Sequence, residues 1–296
     1  MRIAVDNGLS DLLTTNEEKR EVTGFQFTEG PVWIPDRECL LFSDIPADTI
    51  YRWEPGNEAE VYRRPSFHAN GLTLDNSGNI LACEHTGRRV TIAPFDGDPE
   101  PIAETYEEKR FHSPNDIIVA STDAIYFTDP DYGLLSQGEG EEGRELDVMA
   151  TYRVATNGAV QRVATDFDKP NGLTFSPVET QMYIADSAGR LIKRYTVFAD
   201  GALSSEGELF VDMSADARAG VPDGMKVDED GRLWTTGPGG IWVIDSDGEV
   251  VGQIELDEQP ANLAWGGSDF STLYITARTA VYSIETAVRG VAPGSR

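Results

Sequence analysis

One two-strand pattern recurs six times along this chain. Each copy starts with a polar residue, usually followed by glycine, and continues as an apolar run, a turn and a second apolar run. The first residues of the five clear copies and of the weaker sixth are Glu29, Asn70, Asn115, Asn171, Asp223 and Ala261. Successive copies begin 38 to 56 residues apart, a spacing that accommodates a four-stranded blade of a β-propeller. The repeat therefore predicts a ring of six blades.

Long amphipathic helices are not indicated, and the runs between the copies have the pattern of further short strands. We predict an all-β protein: a six-bladed β-propeller of four-stranded antiparallel blades, occupying residues 1–296 as a single domain. The sixth copy is short, because only a brief tail follows its third strand. We therefore expect a strand from the N-terminal segment, within Lys19 to Gly24, to complete the last blade and close the ring.

The first strand of each propeller blade lines the central channel, so residues that begin these strands lie near one mouth of the channel. The polar residues that begin these strands, although distant in sequence, should then lie close together at that mouth. In the stretch SPNDIIV, Asn115 would face the axis while Ile117 and Val119 pack into the blade. Asn, Asp and Gly are also ordinary turn residues, but turn chemistry does not require Glu29 before a Gly-Pro pair. Five polar starts in register favour a divalent cation held by oxygen atoms.

The charge of the chain disfavours several classes of partner. The formal net charge is −27, from 51 acidic and 24 basic side chains, which argues against binding to nucleic acid or anionic membranes. A salt-rich cytoplasm that screens the self-repulsion and an ordinary acidic protein both remain open. The chain has no apolar stretch of about 18 residues and no signal-peptide features, so we expect a cytoplasmic protein. Cys39 and Cys83 lie in apolar runs and are expected to be buried free thiols.

Five motifs resemble those of the SMP-30/gluconolactonase family of six-bladed propellers. They are TEGPVW (28–33), SPNDIIV (113–119), YFTDPDYG (126–133), KPNGLTFS (169–176) and VPDGMKVD (221–228). The resemblance covers nearly the whole chain and implies one divalent metal ion held by Glu29, Asn171 and Asp223. It also implies that Asn115 lies beside the metal or contacts the substrate. Oxygen ligands without cysteine suit Ca, Mg, Mn or Zn.

The same resemblance implies further site residues. The stretch HANGLTLDNSGNILACEHTGRRV (68–90) is similar to one in bacterial sugar lactonases, which would place Asn70 and His85, and with them His68, near the channel mouth. A substrate-contacting arginine precedes the PND-type motif in the family, and Arg110 is the candidate here. Each histidine could instead be a scaffold residue, and Arg110 could equally be a solvated side chain of its charged run.

Two stretches leave their roles open. Asp131 stands where the family pattern has the second proline of a DPPYG-like motif, so the shape of that loop is not predicted. The acidic, glycine-rich segment 136–146 is either a flexible loop or a lid over the channel. Asp186, at the end of a second strand, is predicted to be a turn residue.

Together these residues predict metal-dependent hydrolysis of a small-molecule sugar lactone, a gluconolactone or a pentonolactone, to the aldonic acid. The metal would polarise the carbonyl, Asp223 would orient or deprotonate the attacking water, and Asn115, Asn171 and Arg110 would bind sugar hydroxyls. The sequence has no G-x-S-x-G motif of a serine hydrolase. Two alternatives remain: a metal-dependent esterase or phosphotriesterase, and a non-catalytic protein-binding propeller. The oligomeric state is not predicted.

Overall fold

The computed structural model describes residues 1–293, and almost all of its regular structure is β-sheet. Among these described residues, five antiparallel sheets have four strands, one has five, and a separate ribbon has two. The prediction of an all-β, six-bladed propeller is confirmed. A single domain over residues 1–296 stays a prediction, and residues 294–296 lie outside the described part.

The strands are numbered along the chain. The N-terminal segment contributes β1 (Arg2–Asp6) and β2 (Lys19–Thr23). The first two blades and the ribbon that follows them contain β3 (Thr28–Ile34), β4 (Cys39–Asp44), β5 (Thr49–Trp53), β6 (Glu60–Arg63), β7 (Ala69–Leu74), β8 (Ile80–Glu84), β9 (Arg89–Ala93), β10 (Glu100–Ala103), β11 (Thr105–Tyr106) and β12 (Lys109–Arg110).

Each remaining blade again uses consecutive strands. The third and fourth blades contain β13 (Ile117–Val119), β14 (Ile125–Asp129), β15 (Ala150–Val154), β16 (Val160–Ala164), β17 (Pro170–Phe175), β18 (Gln181–Asp186), β19 (Leu191–Thr196) and β20 (Glu208–Asp212). The fifth and sixth contain β21 (Met225–Val227), β22 (Leu233–Gly237), β23 (Gly240–Ile244), β24 (Val250–Glu255), β25 (Asn262–Gly266), β26 (Thr272–Ala277) and β27 (Ala280–Glu285).

Strand β2 completes the sixth blade, as predicted. It pairs antiparallel with β27, from Lys19 opposite Ser283 to Thr23 opposite Ala280. Strand β1 was not predicted: it pairs with β24 and gives the fifth blade an extra, outermost strand. Both pairings cover sheet edges that would otherwise present free backbone groups. The N-terminal segment thus joins the fifth and sixth blades.

Apolar side chains fill the space between neighbouring sheets. Between the first two blades, for example, Leu41 of β4 and Ile80 of β8 belong to one buried cluster. Ile117 and Val119 are buried in the next cluster, as expected from the sequence. Leu9, Leu12 and Leu13, in and after a short 3₁₀ helix, are buried in a cluster of the fifth and sixth blades. The N-terminal segment therefore adds core as well as strand pairing.

Glycine lets the inner strands of consecutive blades approach closely. A Cβ added to Gly30 would lie 1.9 Å from the carbonyl oxygen of Asn70 in the next blade. The same holds for Gly172, whose added Cβ would lie 1.9 Å from the carbonyl oxygen of Asp223. Distances this short exclude any side chain. The Gly that follows most polar starts is thus required where the blades meet at the axis.

In the described part of the chain, helical structure is limited to α1 (Tyr132–Ser136) and to 3₁₀ segments at Leu9–Leu12, Pro35–Arg37 and Glu141–Gly143. Across residues 1–293, no helix is both long enough and apolar enough to span a bilayer. The two cysteines, Cys39 and Cys83, are buried free thiols, as predicted.

Candidate functional site

The aligned strand starts meet in one cavity of about 390 Å³. Its wall includes five of the six predicted positions: Glu29, Asn70, Asn115, Asn171 and Asp223. The rest of the wall consists of His85, Ser136 and the largely apolar set Phe27, Ile45, Pro46, Tyr132 and Val221. A cavity of this size and mixed lining suits a small organic molecule.

Irregular backbone at the strand starts turns their side chains toward the cavity. The ladder between β3 and β4 shifts register just after Glu29, and the ladders of β7 and β17 shift register around Asn70 and Asn171. Such bulges re-aim side chains and are frequent next to binding sites. Asn115 and Asp223 lie two residues before β13 and β21. Their side chains therefore do not have to follow the alternation of a strand.

Three aspartates at the ends of second strands hold the segments that enter the cavity. Each accepts hydrogen bonds from two successive backbone N–H groups, at 2.8 to 3.0 Å: Asp44, Asp129 and Asp186. The second N–H group belongs in each case to the residue two positions before a cavity residue, namely Glu29, Asn115 or Asn171. Asp186 also makes the predicted turn contact, to the N–H of Gly189. These aspartates position polar residues at the cavity.

Replacing Asp186 with Asn should lower stability and disturb the cavity together. The carboxylate accepts three backbone N–H groups, whereas an amide has one acceptor oxygen, so we expect a loss of about 1–3 kcal/mol in unfolding free energy. Because Asn171 would shift, kcat/KM should also fall several-fold. Asp245→Asn is the matched control, since Asp245 accepts two N–H groups in a turn that does not line the cavity. Urea unfolding and steady-state kinetics would measure both effects, and equal kinetic losses in the two variants would contradict the positioning role.

Two carboxyl groups of the cavity are held where negative charge is unfavourable. Burial raises the pKa of Glu29 to about 7, although the Gly30 N–H and the Asn262 amide donate to its Oε2 at 2.8 and 3.1 Å. Burial also raises the pKa of Asp223 well above its usual value, and the charge of Glu29 raises it further. Buried carboxylates that repel each other need a compensating cation to remain ionised.

The side-chain oxygen atoms beside these carboxyl groups are of the kind that binds a hard divalent ion. The Asn171 Nδ2 donates to the Ser187 hydroxyl at 2.9 Å, and that hydroxyl donates to the Pro222 carbonyl at 2.8 Å. This pair of contacts fixes the orientation of the amide. Its oxygen adds a neutral ligand to two carboxylates, a combination that suits Ca or Mg. Within residues 1–293, no three His, Cys, Asp or Glu side chains form a metal cage on their own.

Asn70 and His85 lie together in the cavity wall, where the sequence had placed them. The Asn70 Nδ2 is 3.4 Å from the His85 Nε2. With the amide in this orientation its nitrogen donates and Nε2 accepts, which corresponds to the neutral imidazole tautomer with its proton on Nδ1. Burial lowers the pKa of His85 to about 4, which keeps the ring neutral at pH 7. A neutral ring next to an amide can bind hydroxyl groups without adding charge.

We expect His85 to make stability depend on pH between 7 and 5. The unfolded imidazole takes up a proton near its ordinary pKa of 6.5, whereas the folded one stays neutral to about 4. Stability is therefore lost as the pH falls below 6.5, by about 2 kcal/mol at pH 5. Urea unfolding at both pH values should give this difference between wild type and His85→Asn, whose amide cannot take up the proton. An identical pH dependence in both proteins would refute the assignment.

Arg110 and His68 do not line the cavity. Arg110 is exposed in β12, where its N–H donates to Glu145 and its guanidinium to the Gly87 carbonyl at 3.3 Å. His68 is part-exposed, and its Nδ1 lies 3.3 Å from the Thr86 hydroxyl. The role of Arg110 in substrate binding stays a prediction. It would require the β11–β12 ribbon to move, because Arg110 lies outside the cavity wall.

The departure at Asp131 has a structural reason. The buried Asp131 carboxylate forms ion pairs with Lys169, at 2.8 Å, and with Arg144. The Lys169 ammonium also lies 4.7 Å above the ring of Tyr132. These contacts tie Asp131, and through Arg144 the later part of segment 136–146, to Lys169 next to the fourth blade. Tyr132 and Ser136, the first residue of the segment, line the cavity. Whether the rest of the segment is a lid or a flexible loop stays a prediction.

Tyr132 and Asp116 were not identified from the sequence as site residues. Tyr132 sits in α1, and burial raises the pKa of its hydroxyl to about 12, so it is a neutral donor. Asp116 follows Asn115 and is 4% exposed. Asp116 did leave a signal: it occupies the position that is glycine in four of the six copies.

Known lactonases resemble this chain over most of its length. The sequence model of the SMP-30/gluconolactonase/LRE-like family matches residues 27–279 of this chain. A gluconolactonase from Zymomonas mobilis is 32% identical over 90% of this chain and 80% of its own length, and a pentonolactonase from Haloferax volcanii is 29% identical over 86% and 82%. The solved structure of a gluconolactonase from Xanthomonas campestris superposes with a TM-score of 0.89 at 30% identity, covering 97% of this chain and 95% of that one. The chain therefore belongs to the SMP-30/gluconolactonase/LRE-like family.

Proposed function

We propose that this protein is a divalent-metal-dependent lactonase that opens a sugar lactone to the aldonic acid. Its gluconolactonase and pentonolactonase relatives, matched over most of their length, support a lactonase acting on a small sugar lactone. The observation that carries the metal requirement is that the buried Glu29 and the part-exposed Asp223 share one cavity, where the charge of Glu29 raises the pKa of Asp223 and a divalent ion would relieve the repulsion. A cytoplasmic location, and the absence of nucleic-acid and membrane partners, stay predictions.

Each polar residue of the cavity has a role in this proposal. Glu29, Asn171 and Asp223 would hold the ion, which when bound supplies Lewis-acid polarisation of the lactone carbonyl. Asp223 is part-exposed, so one of its oxygens can orient the attacking water or accept its proton. Asn115 and the Asn70–His85 pair would bind the ring hydroxyls and orient the lactone so that its carbonyl group faces the ion.

Lactone hydrolysis in a pH-stat tests the proposal directly. Gluconolactone and several pentonolactones would be compared at pH 6.5, where spontaneous opening is slow enough to subtract. We expect turnover above the spontaneous rate, its loss after EDTA treatment, and its recovery with one or more of Ca, Mg, Mn and Zn. Metal-independent turnover would remove the metal from the mechanism, and an absence of turnover on every lactone would remove the lactonase.

The apolar part of the cavity wall favours one second candidate. Phe27, Ile45, Pro46 and Val221 offer no hydrogen-bonding side chains. They would suit an ester or organophosphate with an apolar group better than a fully hydroxylated ring. Aryl esters and phosphotriesters belong in the same assay, and a kcat/KM above that for every aldonolactone would favour the esterase or phosphotriesterase.

A further inference from the structure

The wall of the cavity is polar on one half of the ring and apolar on the other. Three successive blades, the second to the fourth, place an amide at the start of the inner strand: Asn70, Asn115 and Asn171. The sixth blade, on the far side, has the buried Ala261 at this position. It adjoins the first blade, because Thr28 donates to the carbonyls of Arg278 and Ala280 at 2.7 and 3.1 Å. The three amides therefore occupy one half of the ring, and the fifth, sixth and first blades form the other.

The apolar wall comes from this other half. Phe27 and Val221 each lie two residues before the strand start of their blade, the first and the fifth, and both line the cavity. Ile45 and Pro46 follow β4 of the first blade and extend the wall beside Phe27, whose carbonyl accepts the Ile45 N–H at 3.2 Å. Because the blades form a ring, these apolar side chains face the amides of the second to fourth blades across the cavity.

The side chains of the apolar wall are available to a ligand. Phe27, Ile45 and Val221 are part-exposed and belong to none of the buried hydrophobic clusters of residues 1–293. The backbone that carries Phe27 is held in place, because its N–H donates to Asp44 at 3.0 Å. A methyl group gains free energy by contact with such a surface, whereas a hydroxyl group there loses its bonds to water and finds no polar side chain to replace them. The wall therefore favours an apolar group of the ligand.

The position of the wall indicates which part of a sugar lactone contacts it. Glu29 is buried, Phe27 is part-exposed and Pro46 is exposed, so the apolar wall lies nearer the mouth of the cavity than the proposed ion does. A lactone whose carbonyl faces the ion and whose ring hydroxyls face Asn70 and Asn115 has one part left, the end of its carbon chain. That end extends away from the carbonyl, toward the mouth and the apolar wall.

We propose that this lactonase prefers 6-deoxyaldonolactones, which keep the ring hydroxyls of a sugar lactone and end in a methyl group instead of a hydroxymethyl group. The inference rests on the proposed function and deepens it by naming the substrate class. The amides of the polar half bind the hydroxyls, and the wall of Phe27, Ile45 and Val221 binds the terminal methyl group. These three residues determine specificity and touch no reacting atom.

Pairs of lactones that differ by one oxygen atom test the preference. Each pair keeps the ring configuration and replaces the terminal hydroxyl with hydrogen: L-mannono- and L-rhamnono-1,4-lactone, D-galactono- and D-fucono-1,4-lactone, and D-glucono- and 6-deoxy-D-gluconolactone. The pH-stat assay would give kcat and KM for each lactone. In at least one pair, we expect kcat/KM to be about three-fold or more higher for the deoxy lactone, because a single group in an apolar pocket changes this constant by about ten-fold or more. The difference should lie mainly in KM, because the methyl group is remote from the reacting carbon.

A valine-to-threonine change tests the wall itself. Val221→Thr keeps the shape of the side chain and adds a hydroxyl group that can bond to the terminal hydroxyl of the fully hydroxylated lactone. It should lower the ratio of kcat/KM between the deoxy and the hydroxylated lactone by about three-fold or more, and any general loss of activity cancels in that ratio. Val178→Thr is the matched control, because Val178 is 76% exposed and lies outside the cavity wall. The control should leave the ratio unchanged.

The results separate this inference from the function on which it rests. A ratio below about three in every pair that is hydrolysed would overturn the preference and leave the lactonase intact. Turnover of pentonolactones but of no six-carbon lactone would do the same. A ratio that is equal in Val221→Thr and Val178→Thr would overturn the role of the wall. No turnover of any lactone would overturn the lactonase and, with it, the preference.

Discussion

Replacing Asp223 with Asn is expected to abolish metal binding and lactone turnover while leaving the metal-free protein at least as stable as wild type. The side chain is a proposed metal ligand and also the group that handles the water, so kcat/KM should fall by about a thousand-fold or more. The same change removes one of the carboxyls that repel each other in the cavity. Stability should therefore rise by a few degrees in Tm even as function is lost.

Calorimetry with Mn²⁺, lactone hydrolysis and thermal unfolding after EDTA treatment would measure these three effects. Asp75→Asn is the control, because Asp75 accepts two N–H groups in a turn outside the cavity, at 2.8 and 2.9 Å. It should lose stability and keep metal and turnover, the opposite of Asp223→Asn. An Asp223→Asn protein that still binds metal and retains a tenth of the wild-type kcat/KM would contradict the site.

Deleting residues 1–24 is expected to prevent the propeller from closing. The deletion unpairs the outer edges of β27 and β24 and removes Leu9, Leu12 and Leu13 from the core. Truncating one buried leucine costs about 2–5 kcal/mol, and typical domains are stable by only about 5–15 kcal/mol. The truncated protein should therefore aggregate or unfold without a cooperative transition.

A shorter deletion, of residues 1–7, is the matched control. It removes β1 but keeps the buried leucines and β2, so the protein should still fold, with a lower Tm. Circular dichroism on heating and gel filtration would compare the two truncations. A protein lacking residues 1–24 that melts cooperatively within 5 °C of wild type would show that the N-terminal segment is not needed to close the ring.

Local pattern predicted the parts of this protein that repeat. Alternating apolar runs predicted the blades, and the short final copy predicted that a strand within Lys19 to Gly24 would pair with the last blade, where the structure has Lys19–Thr23. The strand RIAVD of residues 2–6 was not predicted. The fifth blade already has four strands without it, and the repeat pattern predicts only four strands in each blade. Edge coverage is a property of the assembled sheet.

The candidate site also contains residues that the repeat predicts and a residue, Arg110, that it does not. Position in the repeat places Glu29, Asn171 and Asp223 around one axis, because equivalent residues of a ring are related by its rotation. Arg110 was proposed from its distance to a motif, and that distance does not determine where an exposed loop folds.

The sequence by itself determined the number of blades, the strand that closes the ring and the five polar residues that face one cavity, since each is a consequence of periodicity along the chain. Only the tertiary structure decided that Asp116 is buried, that Tyr132 forms cavity wall and that three aspartates hold the entering segments. Those contacts join different blades or opposite ends of a loop, and their energies depend on burial and on distances through space that no local pattern encodes.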